Sequence, residues 1–403
     1  MNVLSKRKKT KIFFLIVVIA VTAVILIVET YAWFVGLSTV NTNSFNINVS
    51  TGGGLEISLD GEHWKKDNDV LNISESTITA TSGTGDHAYQ GNTNKWTGNK
   101  GLVPVSSSGT LDTTTGRLKF FEKSSLSSTA GGYKLVASQV DNSTREVDGY
   151  VAFDLFIRNG TDNVYDNNNY DSAAAENVYL KKTSSATVNG SSNYGAANSA
   201  RVGFFFIAGM KAYNAPLEQI RGLSCSSVTS DTTNIRKLCP SELSGREVWW
   251  NIWEPNYNSH VESAALFFND ACKKRDPSDG RYLPSSCEQL TTTTEVDTYA
   301  VLKPITSSNN VDIYDGNNEY SANTYNSSNL EGKLYKQTTY KIDLSSTYTY
   351  ENQLFKLAGN SITKVRVYIW LEGQDVDNYD IITRNSNIII NFGLTKDMYE
   401  IDE

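Results

Sequence analysis

Three histidines, His63, His87 and His260, are all the imidazole that this 403-residue chain offers for chemistry. No two lie four apart and no His-Glu-x-x-His occurs, so the spacing that puts two zinc ligands on one helix face is missing. His63, beside Trp64, reads as a surface turn residue, and His260 as a first-turn helix residue. No Gly-x-Ser-x-Gly elbow marks a serine nucleophile. Glu372 with Asp375 or Asp377 would supply the two carboxylates of a glycosidase, which stand about 5–9.5 Å apart. The simpler reading is a polar turn in which Glu372 caps backbone groups. Hard oxygens for calcium occur twice, as Asp375, Asp377 and Asp380 and as Asp162, Asp166 and Asp171. Neither set follows the D-x-[DN]-x-[DN]-G loop pattern. Trp249, Trp250 and Trp253 would make a carbohydrate platform if exposed; Trp250 alternating with Ile252 is the pattern of a core strand. No catalytic set and no metal set stands out, and a non-enzymatic protein is expected.

The four cysteines, Cys225, Cys239, Cys272 and Cys287, fall in one stretch. An even count in an oxidising compartment points to two disulfides, with three connectivities open. The local pairs Cys225–Cys239 and Cys272–Cys287 are favoured, each closing a loop of about 15 residues worth ~3 kcal/mol in the chain-entropy model.

The elements that must position these groups are short β-type runs separated by polar turns. Phe45, Ile47 and Val49 alternate with asparagines, and Leu55, Ile57 and Leu59 follow the Gly52-Gly53-Gly54 break, ending at an Asp60-Gly61 hairpin signal. Residues 81–116 read as a long loop. Strands are expected at 118–121, 133–136, 150–158, 177–181 and 299–302. Arg201–Gly209 reads as a central strand covered on both faces. Residues 335–344, 365–372 and 387–393 close the set. In the second of these Val365, Val367, Ile369 and Leu371 form one face, and Arg366, Tyr368 and Trp370 the other. Ser259 and Glu262 form a capping-box pattern ahead of Val261, Ala264, Ala265, Phe268 and Cys272 at helical spacing. The expected fold is mostly β, a jelly-roll-type β-sandwich over residues 35–403, with 211–300 as a small helix-containing, disulfide-bearing insertion.

The N-terminus has a different character. Lys6, Arg7, Lys8, Lys9 and Lys11 precede an uncharged run from Ile12 to Val28, which spans about 25 Å as a helix. Tyr31 and Trp33 supply an interfacial aromatic anchor, and the next cation is Lys65. The positive-inside rule puts residues 1–11 in the cytoplasm and the rest outside. No A-x-A cleavage pattern occurs between Glu29 and Gly36, so residues 1–34 are expected to stay as an uncleaved signal anchor. All 44 acidic residues and all but five of the 36 basic ones follow Val28, giving the exported part a net charge of −13. That surface disfavours nucleic acid and anionic lipid. Abundant Ser, Thr, Asn and Gly with 22 Tyr suits an exposed β protein.

Residues 30–61, TYAWFVGLSTVNTNSFNINVSTGGGLEISLDG, resemble the N-termini of the camelysin/TasA family of Firmicute surface and biofilm-matrix proteins. The segments GYVAFDLFIRN (149–159), SARVGFFFIAG (199–209), IWEPN (252–256) and VYIWLEGQDVDNYD (367–380) resemble larger Firmicute surface proteins with the same aromatic junction. The first resemblance implies export, a role in matrix or adhesion, and self-association by donating the strand 45–49 to a neighbour's sheet. A retained anchor makes pairing of that strand within its own chain the primary expectation. A surface-displayed glycan-binding module is the alternative reading.

Overall fold

The computed structural model describes residues 45–52, 54–66, 69–73, 102–111, 118–129, 132–139, 149–160, 175–188, 195–210, 214–223, 237–238, 250–266, 290–293, 295, 299–301, 334–336, 339–342, 353–373, 375–378 and 388–396. Among these the protein is mostly β. One six-stranded sheet contains β1 (Phe45–Thr51), β3 (Leu71–Ile73), β8 (Ala175–Leu180), β9 (Ser185–Val188), β15 (Phe355–Ala358) and β17 (Ile388–Thr395). Its order is β15-β8-β17-β1-β3, with β9 also against β17. The second contains β2 (Leu55–Ser58), β7 (Tyr150–Asn159), β10 (Ala200–Met210), β11 (Lys237–Leu238), β12 (Trp250–Trp253) and β16 (Ser361–Leu371). Its order is β11-β10-β16-β7-β2, with β12 also against β10.

Strand alternation accounts for the core between these sheets. Ile47, Val49, Ile390 and Phe392 of the first sheet meet Ile57, Phe153, Val202, Phe204, Val367 and Ile369 of the second in one buried cluster. Phe204 and Phe392 meet edge to face across it, with ring centroids 5.2 Å apart. β1 lies parallel to β17 from Phe45↔Ile388 to Thr51↔Leu394 and antiparallel to β3. β1 and β2 are consecutive yet belong to different sheets. The link across is the glycine run, with Gly54 at φ 75°.

A third layer covers the far face of the second sheet. β4 (Ser106–Leu111), β5 (Leu118–Thr129) and β6 (Gly132–Gln139) form a three-stranded sheet. Val105, Leu118 and Phe120 from this region pack on Tyr150, Phe205, Tyr368 and Trp370 in a second core. Phe120 stacks on Tyr150 at 4.4 Å and meets Trp370 edge-on at 5.3 Å. The backbone N–H of Leu118 donates to the Tyr368 hydroxyl, 3.1 Å away. Both faces of β16 are therefore buried, as are the two faces of β10 through Phe204 and Phe205.

Two sequence expectations change. Residues 106–111 form a strand and Leu102 a β-bridge where a loop was expected over 81–116. The polar run SSSGTL hides this strand, because its partner supplies the apolar contacts. After the Asp60-Gly61 turn the chain returns to β2 only through the Ile57↔Lys65 bridge, and the ladder partner of β2 is β7. Within 211–300, β12 pairs with β10 in the second sheet. β13 (Tyr299–Val301) and β14 (Leu334–Lys336) form a separate pair. The described residues also include two short helices, α1 (Gly195–Asn198) and α2 (Leu217–Arg221), and helical residues at 262–266.

Candidate functional site

β10 runs antiparallel to both β12 and β16. Its first residues therefore lie beside the last residues of those two strands, and their charges converge at one end of the central sheet. Arg201 comes from the start of β10, Glu254 follows β12, and Glu372, Asp375 and Asp377 follow β16. Arg201 Nη2 donates to Glu254 Oε1 and to Asp375 Oδ2, both at 2.6 Å. Its Nη1 donates to the carbonyls of Asn198 at 3.0 Å and Ala200 at 2.9 Å. Thr339 Oγ1 donates to the other oxygen of Glu254. The Asp377 N–H donates to Asp375 Oδ1 at 2.8 Å, and Trp370 Nε1 donates to Glu372 Oε2 at 3.1 Å.

The same turn holds the helical residues 262–266 in two ways. Asp377 Oδ1 accepts from the Val261 N–H at 2.7 Å, and its Oδ2 pairs with His260 Nδ1 at 2.6 Å. Val376 packs on Ala264, Ala265 and Leu290. This corrects the capping-box expectation, since the helix start is served by Asp377, distant in sequence, rather than by Ser259 and Glu262. It also corrects His260, which is buried ahead of the helix.

Four carboxylates thus surround one guanidinium and one imidazole in a buried region. Burial pushes the Asp375 carboxyl up to about 6; the charges of Asp377 and Glu254 add to that, and the Arg201 guanidinium only partly offsets it. Burial also works against the charge of Arg201, but Glu254, Asp375 and Glu372 outweigh it and raise its pKa. Burial depresses Lys341 nearby. All four oxygens of Asp375 and Asp377 already accept from protein donors. The arrangement clamps four chain segments together and leaves these carboxylates turned to protein rather than to a ligand.

A second buried charge group lies mid-sheet. Asp154 and Arg366 are register partners on β7 and β16, bonded twice at 2.6 and 3.0 Å, with Lys364 Nζ at 3.4 Å. Burial opposes the Asp154 charge, yet the two cations hold its pKa below the ordinary value. Burial pushes the neighbouring Tyr368 hydroxyl up.

Of the other expected site residues, Trp253 is buried in the main core. Trp250 lies on β12, and its side chain is not among those described. Trp249, Asp380, the Asp162, Asp166 and Asp171 loop, His87 and all four cysteines lie outside the described residues. So does the apolar segment 12–28; among the described residues no helix is long and apolar enough to cross a membrane. His63 is exposed and pairs with Asp60, beside Glu62, in the one three-ligand group that could hold a metal among the described residues. Asp60 there accepts from Ser58 Oγ and from the N–H groups of Glu62 and His63, as a turn-capping Asp does. Arg221 bonds Glu62 at 3.0 Å. Asp375 and Asp377 were legible as an acidic turn. Arg201 and Glu254 were missed, although each is a lone charge at the end of an apolar strand. Asp154 and Arg366, opposite charges within two apolar strands, gave the same signal.

Compared with protein-family models, curated proteins and solved structures, the chain matches none.

Proposed function

We propose that this is a non-enzymatic protein of the bacterial cell surface, anchored through residues 12–28, whose β-rich ectodomain serves envelope structure, matrix assembly or adhesion. One observation carries the reading. β1, the first described strand after the apolar segment, is paired along its whole length with β17 and flanked by β3. An anchor joined to β1 would enter the fold through a seven-residue ladder whose bonds are loaded together when the chain is pulled along the strand. That construction suits a tethered display or scaffold domain. It accords with pairing of the strand 45–49 within its own chain as the resting state. The reading includes a jelly-roll-type β-sandwich and the disulfides Cys225–Cys239 and Cys272–Cys287, formed outside the membrane.

The test is cell fractionation combined with mass spectrometry of the N-terminal peptide and protease shaving of intact cells. The reading expects membrane recovery, a retained peptide from residues 1–34 and cleavage of the C-terminal part from outside. Recovery of the intact chain in the cytosol, protected from external protease, would overturn it. Deleting 43–50 should also lower the melting temperature. If β1 instead acts between chains, the same deletion abolishes high-mass species.

A further inference from the structure

The outer face of the first sheet carries a groove that the anchor-and-scaffold reading does not use. Its volume is about 310 Å³, at the lower end of the roughly 300–1,000 Å³ of small-molecule sites. Three asparagines lie in one lateral row across three strands, because Asn48 is the register partner of both Asn72 on β3 and Asn391 on β17. Ile47 and Val49 point into the core, so strand alternation turns Asn48 outward. Asn48 Nδ2 donates to Asn391 Oδ1 at 2.6 Å. That bond leaves Asn48 Oδ1 as an acceptor and Asn391 Nδ2 as a donor with no partner among the described residues, and both residues line the groove. Asn72 and Thr183 are exposed on its walls. Val70, 50% exposed, is one of two exposed large apolar side chains among the described residues, and it lines the same groove.

We infer that this groove binds a neutral, hydroxyl-rich ligand, a segment of an uncharged saccharide. Among the described residues no charged one lines it, in a chain whose net charge is −8, so an ionic ligand finds no counter-charge among them. An apolar ligand would strip water from the amides without replacing their hydrogen bonds. An added peptide strand needs free backbone groups, and here β1 is paired on both sides. Side-chain amides and hydroxyls supply donors and acceptors together, as sugar hydroxyls require, while Val70 offers a surface for the C–H face of a ring. The site is distinct from the Trp249–Trp253 segment and does not depend on where the chain resides.

The experiment titrates the full chain in detergent micelles with maltotriose, chitotriose, trigalacturonate and pentaglycine, followed by saturation-transfer NMR and calorimetry. A neutral trisaccharide should bind in preference to the other two. Asn72→Ala and Thr183→Ala, both at exposed positions, should each weaken it by up to about tenfold, as loss of one hydrogen bond does, without changing the melting temperature. The inference is overturned if neither neutral trisaccharide binds, if trigalacturonate or pentaglycine binds more tightly, or if both substitutions leave the affinity unchanged.

Discussion

Asp375 gives a pH dependence whose sign and size can be worked from the structure. Burial, assisted by Asp377 and Glu254, raises its carboxyl from 3.8 to about 6. At about 1.4 kcal/mol for each tenfold change in proton affinity, that amounts to at most about 3 kcal/mol. The folded carboxyl holds its proton more tightly than the unfolded one, so unfolding releases protons between about pH 4 and 6, and stability falls as pH rises through that window. Asp375→Asn mimics the protonated form. It keeps one acceptor for the Arg201 cluster, turns its NH2 toward the other of the two donors that Asp375 serves, and loses the titration, so any fixed cost is the same at every pH. The assay is urea unfolding of both proteins in detergent at intervals from pH 4 to 7.5, followed through the fluorescence of the buried Trp253 and Trp370. Titrations remote from the cluster, such as that of Asp154 with its depressed pKa, contribute to both proteins and cancel in the difference. The stability of the parent relative to Asp375→Asn should drop by up to about 3 kcal/mol between pH 4 and 6, then level off. A difference that stays constant, or that grows in the parent's favour with pH, would refute the argument, because Asp375 would then act as an ordinary ionised partner of Arg201.

Removing the carboxylate that two buried cations share should be far costlier than removing a surface charge. Asp154→Ala leaves Arg366 and Lys364 buried and should cost about 3–5 kcal/mol in the urea midpoint, while adding Arg366→Met should restore part of it. Gly203→Ala would place a Cβ 2.7 Å from Phe205 Cε2 and 3.2 Å from Trp370 Cζ3. The crowding should destabilise the protein by about 1–3 kcal/mol, measured by thermal melting.

What the sequence revealed depended on the range of the interaction. β10 and β16 were legible because their apolar residues run on or alternate without needing to know a partner. The second face of β16 was legible only as a list, Arg366, Tyr368 and Trp370. Its burial depends on Val105, Leu118 and Phe120, supplied by a region whose own composition looks like loop. β2 shows the same limit: Asp60-Gly61 makes the turn it promised, but the turn does not choose the ladder partner, which is β7, paired with all four residues of β2. At the candidate site, the acidic turn after β16 was visible. Its meaning was not, since whether Asp375 and Asp377 face a cation, a substrate or an arginine depends on the antiparallel register that brings Arg201 alongside.

The longest-range of these pairings has a kinetic consequence. Asn48 and Asn391 touch across 343 residues of chain, and closing such a loop costs about 5 kcal/mol in the Jacobson–Stockmayer form, beyond the constant term. The β5–β6 hairpin, closed at Thr129↔Gly132, carries almost none of that cost. β1 therefore emerges early and stays unpaired on its β17 side until that strand has been made; among the described residues, the three of β3 are its nearer partner. During that interval its open edge is the one most available to a neighbouring chain. If neighbouring chains are close, pairing within and between chains becomes a competition decided by how quickly β17 arrives and how concentrated the chains are. Slowing synthesis of residues 353–396 with rare codons, at unchanged protein level, should increase high-mass species that cross-link through β1. Val49→Asp should suppress those species by placing a charge on the face of β1 that either partner must bury. If slow delivery of β17 leaves the assembly state unchanged, the edge of β1 is protected from the start and this competition does not occur.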